Sequence, residues 1–173
     1  MEKIIRGRVW KFGDNIDTDF IFPGQFMHIT DPVETAKYCF KTTYPEFLEK
    51  AKPGDIIVAG KNWGCGSSRE QAAACLKYFG IGAIVAESVA RIYFRNAINL
   101  GLPIMIAPGV SKIVDQGDEI EINFVTGEIK NLRTGQTIKA QPIPEFMMEI
   151  LKAGGLIPYL KKKIESGELK VRK

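Results

Sequence analysis

At 173 residues, with 45% hydrophobic and 25% charged residues, the chain has the make-up of one globular domain large enough to bury a core. No apolar run approaches the roughly 18 residues that a membrane-spanning helix needs. The net charge of +4 gathers at one end, where Lys161, Lys162, Lys163, Lys170, Arg172 and Lys173 face only Glu165 and Glu168; that pattern reads as a solvated terminal helix, because a nucleic-acid surface would interleave aromatics or run a basic stripe across the fold.

The elements follow in chain order. "IIRGRVWKFG" predicts a first strand, "DNIDTD" a polar turn and "PG" at 23–24 another turn. Asp31 before Pro32 is an N-cap followed by proline at the first helical position, predicting a helix through "VETAKYCFK" and a second short one in "YPEFLEKA". "DIIVAG" (55–60) is a short β-branched run of the kind buried strands show. A glycine loop and an alanine-rich helix closed by Gly80 come next, then a strand in "AIVAES" with Ser88 placed to cap "VARIYFRNAINL". A third strand is expected in "LPIMIAP", and strand–helix alternation at this spacing implies parallel pairing. Beyond Pro108 the alternating texture of "DEIEINFVTGEIKNLRTGQTIKAQPIP", with two "TG" turns, predicts antiparallel strands, and "PEFMMEILKAGG" a closing helix. The whole reads as an α/β core with a β-rich addition, a single unit over 1–173.

Cys39, Cys65 and Cys75 are odd in number and lack CxxC spacing, so they form neither a disulfide framework nor a self-contained metal site; Cys39 and Cys75 are expected as buried thiols. "MEKIIRGRVW" has no apolar signal region, and a cytoplasmic protein is expected.

The chemistry concentrates in "GKNWGCGSSREQAAACLKYFG" (60–80). It is not a phosphate-binding Walker loop, since no lysine follows Gly66, nor a dinucleotide fingerprint, since Arg69 stands where the third glycine belongs. With His28 the only histidine, a Ser-His-Asp triad is excluded. Ser67 with Glu70, and Ser68 with Gln71, both fit a capping box, so the helix is expected to start there with Gln71 inside it. Helix N–H groups, two hydroxyls, glycines that clear the backbone and the Arg69 fork together describe a seat for a small polyanion. The alternative is that one serine caps, the other faces solvent and Arg69 pairs with a surface acid. Trp63 reads mainly as packing.

"GKNWGCGSSREQA" resembles the signature of the small subunit of isopropylmalate isomerase and of the last domain of aconitases. "GDNIDTDFIFPG" and "ESVARIYFRNAINLGLP" are similar to two further motifs of that family in the same order, so the resemblance covers nearly the whole chain. It implies a three-layer β/β/α swivelling domain, with a partly parallel core sheet and added antiparallel strands. It also implies a hydro-lyase, active only with a large partner subunit that carries a [4Fe-4S] cluster, in a heterodimer or heterotetramer; this chain itself would hold no cofactor and bind neither nucleic acid nor membrane. By resemblance Ser67 is the base that removes the proton α to a carboxylate of a small hydroxy-dicarboxylate, and Ser68 and Arg69 bind carboxylate oxygens. The specificity loop falls in "PGQFMHIT", where Phe26, Met27, His28, Ile29 and Thr30 would meet the substrate. Lacking an arginine for a third carboxylate, the loop points to an apolar branch as in isopropylmalate, an intermediate of leucine biosynthesis. Dimethylmalate- or homoaconitate-type activity and a non-catalytic anion-binding module are the rival readings. Gln71 stands where many relatives have histidine.

Overall fold

The computed structural model describes residues 1–172. The described residues form one mixed sheet of seven strands in the order β4-β3-β2-β1-β5-β6-β7. β1 (Ile4–Lys11) is the pivot, parallel to β2 (Ile56–Ala59) and antiparallel to β5 (Glu119–Asn123). β3 (Ala83–Ala86) and β4 (Ile104–Ile106) extend the parallel half. β6 (Glu128–Asn131) and β7 (Thr137–Lys139) extend the antiparallel half. The two textures read from the sequence are thus two halves of one sheet. β2 and β3 are buried at every position, as strands covered on both faces must be, whereas β5 and β6 bury only alternate residues.

Short helices α1 (Thr18–Ile21), α2 (Pro32–Thr35) and α3 (Pro45–Lys50) fill the first crossover. Asp31 caps α2 as expected, accepting from Val33 N at 2.9 Å. The helix expected through "VETAKYCFK" stops after one turn and tightens into a 3₁₀ turn at Ala36–Tyr38. The cause is tertiary: Phe40 takes a left-handed φ of 52° and stacks on Phe12 at 4.9 Å, in an aromatic core with Phe47 and Trp63.

α4 (Gln71–Phe79) and α5 (Arg91–Leu100) are the two crossover helices of the parallel half, ended by Gly80 and Gly101 with φ of 102° and 81°. Ala72, Ala73 and Ala74 are buried, so α4 lies close to its neighbours. α6 (Val110–Ile113) leads into the antiparallel half, and α7 (Glu145–Ala153) and α8 (Leu156–Glu165) close the described chain. Cys39 and Cys75 are buried free thiols, and Trp63 is fully buried. Among the described residues no helix is long and apolar enough to cross a membrane.

Candidate active site

The loops that leave the C-terminal ends of β1, β2 and β3 converge, and each carries one of the three motifs. Open α/β sheets bind ligands at that end of their parallel strands. Residues 14–18 run beside residues 61–65: Asn15 N donates to Lys61 O (2.7 Å), Gly64 N to Ile16 O (2.7 Å) and Thr18 N to Cys65 O (2.9 Å). The third segment joins through Trp63 N donating to Ser88 O (3.1 Å) and Ala90 N donating to Trp63 O (2.9 Å). Gly64, at φ 73°, lets α5 settle on the loop, since a Cβ there would overlap the Tyr93 ring.

Ser67 is exposed, and its Oγ lies 3.0 Å from Thr18 Oγ1. Ser67 N also donates to Thr18 Oγ1, at 3.2 Å. Because Thr18 Oγ1 already accepts from that N–H, its own proton is free to point at Ser67 Oγ, which suits a serine oxygen that must carry negative charge. Thr18 is 3% exposed, so its side of this bond is closed to water. Neither serine caps a helix: α4 begins at Gln71, its N-cap Glu70 makes no side-chain hydrogen bond, and Gln71 is the first helical residue rather than one turn inside. Gly66, at φ 102°, bends the chain so that Ser67 meets Thr18 and the helix starts later. Ser88 likewise does not cap α5; its Oγ accepts from Asn62 N at 2.8 Å and fixes the loop.

Arg69 does pair with an acid. Its Nη1 donates to Asp19 Oδ1 at 2.7 Å and reaches Phe22 O at 3.4 Å, leaving Nε and Nη2 without partners among the described residues. The Arg69 guanidinium beside Asp19, with Gly24 N donating to the same oxygen at 2.8 Å, holds that carboxyl below its usual range. Asp19 thereby ties Arg69 to the start of the segment 24–30. Within that segment Phe26 and Ile29 turn inward, Phe26 against Tyr38 at 4.7 Å, while Met27, His28 and Thr30 are exposed.

An open cleft of about 440 Å³ lies beside Ser67, lined by Gly64, Gly66, Ala90, Arg91, Ile92 and Arg95. Ser68, Arg69 and the segment 26–30 are not part of that lining. Arg91 and Arg95 are the residues that reasoning from the sequence missed. Both lie inside the quoted motif "ESVARIYFRNAINLGLP", where four-residue spacing at a helix start was the available signal. Two further grooves, about 500 and 420 Å³, lie between α5, β4 and α7 and are mainly apolar; Arg91 and Arg95 also border the second.

Fold and cleft together define an α/β domain of the swivelling type whose functional loops gather at one end of its parallel strands. The aconitase C-terminal domain family matches residues 8–109. The chain is 57% identical to the isopropylmalate/citramalate isomerase small subunit of Methanocaldococcus jannaschii, over 97% of this chain and 100% of that one. It is 49% identical to the methanogen homoaconitase small subunit of Methanothermobacter thermautotrophicus, over 96% of each. A crystal structure of a 3-isopropylmalate dehydratase from Methanocaldococcus jannaschii superposes with a TM-score of 0.88 at 48% identity, covering 96% of this chain and 99% of that one. The chain belongs to the aconitase C-terminal domain family.

Proposed function

We propose that this chain is the small subunit of a 3-isopropylmalate dehydratase, a cytoplasmic hydro-lyase of leucine biosynthesis that interconverts 2- and 3-isopropylmalate with a large partner subunit. The observation that carries the reading is Ser67, exposed at a cleft and held 3.0 Å from the buried Thr18 hydroxyl. Ser67 Oγ takes the proton from the carbon next to a carboxylate. The C–H electrons become the carbon–carbon double bond as the neighbouring C–O bond breaks, and hydration in the opposite sense returns the hydroxyl to the other carbon. Thr18 holds the serine oxygen in place and donates to it in the charged form that takes the proton. Arg69, steadied by Asp19, offers its free Nε and Nη2 edge to a substrate carboxylate, with the Ser68 hydroxyl beside it.

Among the described residues no three His, Cys, Asp or Glu side chains could ligate a metal, so the donor set for a [4Fe-4S] cluster does not fit this chain. In this reading the large subunit holds the cluster, which supplies Lewis acidity toward the leaving hydroxyl. The segment Phe26–Thr30 selects the branch of the substrate once the two subunits meet. Citramalate is a second substrate in this reading, on the strength of the name its 57%-identical relative bears. The absence of arginine from residues 26–30 argues against the third carboxylate of homoaconitase substrates.

The test is anaerobic reconstitution with the large subunit and turnover of isopropylmalate, citramalate, dimethylmalate and homocitrate. Isopropylmalate turnover that Ser67→Ala lowers about 10³-fold is expected. Turnover of none of the four overturns the reading, and an unaffected Ser67→Ala removes the serine from its role.

A further inference from the structure

The cleft beside Ser67 has a wall that the glycine loop does not explain. Arg91 opens α5 and Arg95 follows one turn later, and both line the cleft together with Ser67 and the Gly64 and Gly66 backbone. Both are exposed, and among the described residues neither forms an ion pair or a side-chain hydrogen bond. Arg6, Arg69 and Arg133, in contrast, each hold a carboxylate. Helix stability opposes the arrangement. The first turn of α5 contains no acidic residue, and Arg91 puts a cation where unpaired N–H groups already concentrate positive charge. Arg95 then repeats the charge at the i,i+4 position, where like charges repel. A compensating anion resolves all of these at once.

The wall is also fixed in place. Asn96 Nδ2 donates to Ser68 O at 3.5 Å, Ala90 N donates to Trp63 O at 2.9 Å, and the Tyr93 ring closes over Gly64. The α5 backbone that carries the two arginines therefore stands in a set relation to the Ser67 loop. Arg69 lies outside the lining and is engaged by Asp19, so it leaves this side of the serine without another cation from the loop.

We propose that Arg91 and Arg95 bind one carboxylate of the dicarboxylate substrate, the one remote from Arg69, so that Ser67 faces the carbons between the two carboxylates. This rests on the dehydratase reading above and adds to it a second carboxylate site, built on α5 rather than on the glycine loop. A guanidinium pair suits a carboxylate, because each offers a planar fork of donors.

The experiment uses the complex reconstituted with the large subunit and the variants Arg91→Gln, Arg95→Gln, the double variant and Arg95→Lys. Both side chains are exposed and unpaired, so the folded state tolerates the changes. Each single glutamine variant is expected to raise KM for 2-isopropylmalate about tenfold and the double variant about 100-fold, with kcat within about threefold. Arg95→Lys recovers part of the loss, and affinity for the large subunit, read by sedimentation, stays unchanged. An unchanged KM overturns the proposal. So does a fall in subunit affinity with KM restored at saturating large subunit, which assigns the arginines to the interface instead. A second readout is independent of turnover: succinate added to the ¹⁵N-labelled full chain should shift the amides of Gly64, Gly66, Ser67 and Ile92, and the double variant should abolish those shifts. A complex that turns over none of the four substrates removes the dehydratase reading, while the succinate shifts still decide the arginine site. Shifts that persist in the double variant overturn it.

Discussion

Thr18 Oγ1 and Ser67 Oγ stand 3.0 Å apart across 49 residues of sequence, and the same threonine oxygen accepts the Ser67 N–H. The threonine therefore sets both the place and the charge tolerance of the serine. Thr18→Val keeps the buried shape but removes the hydroxyl. We expect kcat to fall about 10- to 100-fold, with little change in KM and a loss of stability of about 1–2 kcal/mol from the unpaired Ser67 N–H. Thr18→Ser should keep most of the activity. Steady-state kinetics beside urea denaturation separates the two effects, and a Thr18→Val enzyme with full kcat would remove the threonine from the chemistry.

Asp19 tests whether Arg69 is steadied or merely neutralised. The Asp19 side chain is 65% exposed, so the ion pair itself adds at most about 1 kcal/mol to stability. Asp19→Ala should accordingly leave urea stability nearly intact while raising KM about 3- to 10-fold, because the guanidinium loses its fixed orientation. A large fall in stability with unchanged KM would assign the pair to the fold.

Gly64 is expected to tolerate no side chain. At φ 73° and against the Tyr93 ring, Gly64→Ala combines left-handed strain with overlap, for a cost of about 3 kcal/mol. Denaturation midpoints would register this directly. Gly109, also at positive φ but with open space around it, should lose less on the same change.

The antiparallel half carries one source of acid sensitivity. Asp118, 6% exposed, accepts from Arg133 Nε at 2.6 Å and from Asn131 Nδ2 at 2.8 Å. Arg133 above all holds its carboxyl far below the ordinary carboxylate range. A folded-state pKa below the unfolded one stabilises the protein above the unfolded value, near 4, and that contribution fades as pH falls further. Asp118→Ala should cost about 2 kcal/mol in urea at pH 7 and flatten the decline in stability below about pH 4, without altering kcat. A variant with an unchanged acid profile would place the sensitivity elsewhere.

Strands and parallel order were legible in the sequence because β2 and β3 are short, β-branched and bounded by glycines, and because the "TG" turns deliver positive φ at Gly127 and Gly135. What escaped was decided by partners distant in sequence. The serines fit a capping box locally, yet Thr18 claims Ser67 and the helix waits until Gln71. Ser88 fits an N-cap, yet it serves the Asn62 amide. The helix after Asp31 has a good start, yet the aromatic core turns the chain at Phe40. Beyond their four-residue spacing nothing local marks Arg91 and Arg95; only the meeting of the Ser67 loop and α5 in one cleft sets them apart.

The run of backbone bonds joining residues 14–18 to residues 61–65 is a seam between two loops, outside the central sheet. Such a seam can part while β1 and β2 stay paired, since loops open at lower free energy than buried strands. Parting it separates Thr18 from Ser67 and Asp19 from Arg69 in one event. Heating is therefore expected to silence the site by parting that seam before the core melts, and a ligand that holds residues 14–18 against the Ser67 loop is expected to raise the temperature at which this happens.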